Sequence, residues 1–178
     1  LLDRQAEINR AYKRIAIVCE TNYFTIVPAI FDDPATYRTL LTMHHPEIDK
    51  QWAIFYEQIQ QCIVIFALPR TFIKNMQSRM PEAGFYTHML HPVKKGFETS
   101  GNHLIAYLRT GKVDCIIFSK KNLLFYNIFE ANTEEDIVYH CMHLIDQFQL
   151  NLDQTNVHII GEEENSRPDQ LLKAYLPH

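Results

Sequence analysis

The stretch Gly101–Gly161, GNHLIAYLRTGKVDCIIFSKKNLLFYNIFEANTEEDIVYHCMHLIDQFQLNLDQTNVHIIG, decides the fold. His103–Arg109, Val113–Ser119 and Leu123–Glu130 are dense in β-branched and aromatic residues, and turn residues separate them at Thr110-Gly111-Lys112 and Lys120-Lys121-Asn122. Three strands are predicted. Their connections are too short for a crossover, so they form an antiparallel meander. Beyond Asp114 the middle strand is apolar on both faces, the pattern of a strand inside a sheet that is covered on both sides. Asn132-Thr133-Glu134-Glu135-Asp136 then offers Asn132 or Thr133 as a helix cap, with an acid three residues on in either register. Three carboxylates in the first turn suit the positive end of the helix dipole. Ile137, Cys141, Leu144, Ile145 and Phe148 continue at helical spacing as one apolar stripe, and the helix is expected to end near Leu150. Val157–Ile160 follows as a strand, reaching the same sheet by a right-handed crossover. The order is β-β-β-α-β. A further helix is predicted at the tail, started by Ser166-Arg167-Pro168-Asp169 and stopped by Pro177.

Upstream, Leu1–Lys13 is predicted as a helix, and Arg14–Glu20 and Tyr23–Ile30 as strands turned by Thr21-Asn22. Pro28 cannot donate to a ladder, which puts its strand at an edge. Asp32-Asp33-Pro34 starts a helix running to about His44. Trp52–Gln58 and Cys62–Leu68 form the arms of a hairpin, and a short helix through Phe72, Ile73, Met76 and Met80 ends at Pro81. Phe85–Leu90 is a strand candidate. The expected division is into residues 1–96 and 97–178, where glycines and small polar residues separate two apolar regions.

The chain has 178 residues, 47% of them hydrophobic and 21% charged, as expected of a globular protein with a real core. A net charge of −4 argues against general binding to nucleic acid or anionic membranes, which needs a basic face. Cys19, Cys62, Cys115 and Cys141 are dispersed, with no C-x-x-C, and are expected as reduced, buried thiols of a cytoplasmic protein. The longest purely apolar run, Cys62–Leu68, is too short to cross a bilayer. No P-loop, G-x-G-x-x-G or G-x-S-x-G motif occurs.

Phe24-Thr25-Ile26-Val27-Pro28 with Phe31, Phe85 with His88, Asn127-Ile128-Phe129, Glu135-Asp136 with Tyr139, and Ile159-Ile160-Gly161 carry a resemblance that spans nearly the whole chain. The sequence resembles an uncharacterised bacterial family, a domain of unknown function with the actin-like ATPase fold of actin, sugar kinases and heat-shock chaperones. The implied fold class is α/β with a mixed sheet, built of ribonuclease H-like β-β-β-α-β-α units. It further implies that this chain lacks the N-terminal part of the first half, and that the hairpin Trp52–Leu68 is an insertion. Active relatives of this fold hold nucleotide phosphates on backbone amides of a glycine-rich turn, with Asp-x-Gly at the end of the second half's first strand. Here Tyr107 and Arg109 take those places. The Gly-Gly of the adenosine-binding turn is replaced by Gly161-Glu162-Glu163-Glu164.

The expectation is therefore a non-catalytic binding or scaffolding protein on a degenerate nucleotide site, with no catalytic residues, no cofactor and an unidentified protein partner. Neither nucleic-acid binding nor membrane insertion is expected. The alternative is a nucleotide-binding switch or ATPase relying on the missing N-terminal region. Arg109 and Lys112 are candidates for holding some other anion. Asp136, His140 and His143, at i, i+4 and i+7, share a helix face and are candidate metal ligands of a metal-dependent enzyme, the second alternative. His88 is expected to be buried and bonded to backbone.

Overall fold

The computed structural model describes residues 14–161. The helices predicted at Leu1–Lys13 and after Ser166, and the acids Glu162–Glu164, lie outside the described residues. The chain divides into two compact units between Leu90 and His91.

In the first unit, β1 (Ile15–Cys19) pairs in parallel with β5 (Ala83–Thr87), Ile15 standing opposite Ala83 and Cys19 opposite Thr87. Between them in the chain lie a second sheet and two helices. β2 (Phe24–Pro28), β3 (Trp52–Ile59) and β4 (Cys62–Pro69) make an antiparallel sheet of order β2-β4-β3, and α1 (Tyr37–His44) lies between β2 and β3 in the chain. The strands flanking Thr21-Asn22 therefore do not pair with each other. Each finds its partner far along the chain, β1 in β5 and β2 in β4. Pro28 sits at the end of edge strand β2, where a missing N–H is tolerated. The expected hairpin is present, but its second arm is the centre of a sheet. Every residue from Cys62 to Leu68 is buried. Tyr37 and Leu41 of α1, with Ile48, pack on Ile63, Ile65 and Ala67. Phe66 stacks on Phe55, which reaches Phe85 of β5. The helix α1 begins later than Asp32-Asp33-Pro34 suggests. Asp33 accepts from the Ala35 amide, and Asp32 accepts from the Tyr37 hydroxyl, so these acids hold the turn ahead of the helix. A helix α2 (Arg70–Arg79) follows β4 directly. His88 is buried, its amide donating to the Cys19 carbonyl at 3.1 Å.

In the second unit, β6 (Asn102–Arg109), β7 (Lys112–Ser119) and β8 (Asn122–Glu130) are the predicted meander. α4 (Glu134–Gln147) leads to β9 (Thr155–Ile160), which lies parallel to β6. The order is β8-β7-β6-β9. The side chains of β6 and β7 alternate between two buried faces. Leu104, Ala106, Leu108, Val113, Cys115 and Ile117 meet Ile137, Cys141, Leu144 and Ile145 of α4. On the other face Phe118 meets Phe97 of α3 (Leu90–Glu98), ring centroids 5.0 Å apart. The expected boundary at 96/97 falls inside α3. Gly96 is there for packing: a Cβ on it would lie 2.1 Å from the Phe118 ring.

Gly96→Ala should therefore destabilise the protein. Overpacking costs about 1–3 kcal/mol, against up to about 1 kcal/mol regained from replacing a helical glycine. A lowered urea midpoint checks this, and Phe118→Leu in the same chain should relieve part of the loss.

Candidate functional site

β6 and β9 run parallel and end together, and the carboxyl ends of strands are where ligands bind in sheets of this kind. Three backbone features converge there. Gly111, at φ +69°, makes the tight turn from β6 to β7, a conformation that favours glycine. Its carbonyl accepts from Ala131, just ahead of α4. Gly161, at φ +106°, closes β9 against β6, and a Cβ there would stand 2.7 Å from the Leu108 carbonyl oxygen. A shallow cleft of about 520 Å³ at this end is lined by Leu108, Arg109, Asn132, Thr133, Glu134 and Glu135 among others.

Of the two basic residues at this turn, Arg109 is engaged internally. Arg109 turns inward: its Nε donates to Asp114 Oδ2 at 2.6 Å and its Nη2 to Oδ1 at 2.8 Å. Both side chains are buried, Asp114 completely. Asp114 pairs across the hairpin with Tyr107, which makes Arg109 its diagonal neighbour on the same face. Tyr126 is close enough to feel both: burial first, then the Asp114 charge, pushes its phenol pKa up, with Arg109 pulling the other way. Lys112 stands opposite Arg109 in one register and opposite Glu130 in the other.

The amino end of α4 is closed by a capping box. Thr133 Oγ1 accepts from the Asp136 amide at 3.1 Å, and Asp136 Oδ2 accepts from the amides of Asn132 and Thr133, both at 2.9 Å. The bond from the Thr133 amide, then the other bonds of the box, holds the Asp136 pKa below the usual carboxylate value. Asp136 is thus a cap, and the other two metal candidates are likewise engaged. His140 Nε2 donates to the Glu130 carbonyl at 3.0 Å and its ring stacks on Phe129, while His143 stacks on Tyr139. Among the described residues no group of three or more His, Cys, Asp or Glu side chains is placed to hold a metal ion.

Toward the other end of the same strands the structure brings together His103 and His158, which sequence spacing does not connect. Their rings stack 5.4 Å apart, and His103 Nδ1 lies 3.2 Å from His158 Nε2. His103 Nε2 bonds the Ser100 carbonyl, which only accepts. The neutral tautomers follow: His103 carries its proton on Nε2, and His158 donates from Nε2 to His103 Nδ1. Burial, then the neighbouring Lys95 charge and then His103, lowers the His158 pKa.

A model of the family described as Protein of unknown function (DUF3822) matches residues 1–178. The chain belongs to this family. Among curated proteins none matches. Among solved structures, the DUF3822 chain is similar to a Bacteroides thetaiotaomicron protein with an actin-like ATPase fold and unknown function. The two share 20% identity at a TM-score of 0.76, over 94% of this chain and 66% of the other. The chain thus spans just under two thirds of that protein's length. A second similar structure is the cytoplasmic domain of EpsL, an inner membrane component of the type II secretion system of Vibrio cholerae. Its identity of 8% and TM-score of 0.45, over 97% of this chain and 76% of that one, carry no argument. The fold is therefore the actin-like α/β fold that the resemblance implied. No helix among the described residues is long and apolar enough to cross a membrane.

Two outcomes follow from this geometry. Asp114→Asn should cost about 3–5 kcal/mol in chemical denaturation, because it strands a buried guanidinium, whereas Arg109→Met with Asp114→Leu should recover most of that loss. His158, depressed in the folded chain, makes no demand above its unfolded pKa of about 6.5. As pH falls below that value the unfolded chain takes up the proton first, so stability drops until the folded-state pKa is passed. Melting temperatures between pH 8 and 5 should show this fall for the native chain and a shallower one for His158→Gln.

Proposed function

We propose that this DUF3822 protein is a non-catalytic binding or scaffolding protein, built on an actin-like fold whose nucleotide site has degenerated. The observation that carries this reading is the fate of Arg109. At the strand end where active relatives leave bare backbone for phosphates, a long side chain is present, and its charge is committed to buried Asp114. Three amides around the α4 amino end are similarly committed, those of Asn132 and Thr133 to Asp136 and that of Asp136 to Thr133. Glu134 and Glu135 line the same cleft, and their charge opposes a phosphate chain. Gly111 and Gly161 are accounted for by a tight turn and a close strand contact, without a ligand. The residues present do not fit a nucleotide's phosphates. The surviving function of such a chain is recognition of a protein partner.

Ligand that binds only the folded state raises its melting temperature. Millimolar Mg-ATP or Mg-ADP should leave the melting temperature of the DUF3822 chain unchanged. A saturable rise of several degrees, abolished by substitution in the cleft lined by Leu108 and Thr133, would overturn the reading.

A further inference from the structure

We propose that a second cavity, at the carboxyl end of β1 in the first unit, binds a small organic cation carrying a quaternary ammonium or guanidinium group. The cavity has a volume of about 370 Å³, and its lining includes Cys19, Glu20, Tyr23, Trp52, Leu68 and Phe72. It is independent of the Arg109 end of the second unit and of the reading proposed for it. Its size falls at the lower end of the range of small-molecule sites, and Thr21 and Asn22 add polar groups to its lining.

The chemistry of the lining selects the ligand. Tyr23 and Trp52 meet with centroids 4.5 Å apart and planes at 63°, so the two rings make a corner. A cation in such a corner is attracted by more than one ring face, the arrangement by which aromatic cages take alkylated ammonium groups. The corner is braced from behind. Tyr23 also meets the His45 ring edge-on, and the Trp52 carbonyl accepts from Arg38 Nη2 at 2.9 Å. Glu20 follows β1 directly, is exposed, and makes no ion pair among the described residues. Two arginines of this unit are held by backbone carbonyls, while Lys50 and Lys74 are exposed. Arg38 donates to the carbonyls of Asp49 and Trp52, and Arg70 donates to that of Lys50. Burial keeps the Cys19 thiol in its neutral form. The lining thus combines aromatic faces with one carboxylate. An anion would be repelled there, and a neutral apolar ligand would cover Glu20 without giving it a partner.

Trp52 is the one tryptophan of the chain, so its fluorescence reports on this cavity. The test titrates the whole chain, at constant ionic strength, with choline, with arginine amide, and with 3,3-dimethyl-1-butanol, the uncharged isostere of choline. Fluorescence is followed and calorimetry run in parallel. At least one of the two cations should bind about tenfold or more tightly than the isostere, and the tighter one identifies the head group. Glu20→Gln should weaken that cation by roughly tenfold, without moving the melting temperature or the response to the isostere. Trp52→Phe, followed by calorimetry, should weaken it several-fold. An isostere that binds as tightly as both cations overturns the proposal. So does an absence of saturable binding by either cation up to tens of millimolar, or a Glu20→Gln chain that binds the cation unchanged.

Discussion

Asp114 lies on an inner strand of the second unit's sheet with none of its surface open to water, and Arg109 meets its carboxylate with two bonds across the hairpin. A buried carboxylate needs such a partner, and the partner must come from the same face. That requirement ties the two ends of the turn around Gly111 together, fixes the register of β6 on β7, and draws the Arg109 side chain into the sheet rather than out toward solvent. The rest of the unit is arranged around these two strands. α4 covers the face of Cys115 and Ile117, and α3 meets the face of Phe118, the same face to which Asp114 belongs. A long cation at the end of β6 is thus a structural member first, and the chemistry open to that end of the sheet is limited accordingly.

The second unit was largely legible in the sequence because its signals are local. The two short turns, the doubly apolar middle strand and the Thr133–Asp136 box each act within a few residues of themselves. The first unit was less so. Nothing near Thr21-Asn22 says that the strands on either side belong to different sheets, since the partners of β1 and β2 lie tens of residues away. Gly96 looked like a linker because glycine marks both loops and close packing, and only the Phe118 ring tells them apart. The candidate site was legible in part. A lone aspartate in an apolar strand is a demand for a partner, and Arg109 was the near cation on its face, so the pair could have been found. The helical spacing of Asp136, His140 and His143 misled, because it is blind to Glu130 and Phe129 on the adjoining strand, which engage His140. His103 and His158 meet only because β9 lies beside β6.

Membership of DUF3822 and the likeness to the Bacteroides thetaiotaomicron protein settle the architecture, and an architecture of this kind hosts many activities. What distinguishes this chain is where its charges go. At the carboxyl end of β6 the Arg109 charge is paired inside the protein with Asp114. At the carboxyl end of β1 a carboxylate lies beside an aromatic corner.

The segment from β2 to β4 separates β1 from β5, yet its two ends are stitched to each other: the Ala67 amide donates to the Tyr23 carbonyl at 2.8 Å, and the Thr21 hydroxyl reaches the Ala67 carbonyl. Closing a long loop for a parallel strand pair is slow because chain entropy is lost before any contact rewards it. Here the intervening segment carries its own core, and its stitched ends hold the two strands within reach of each other. The interruption thus shortens the loop that the strands it interrupts have to close.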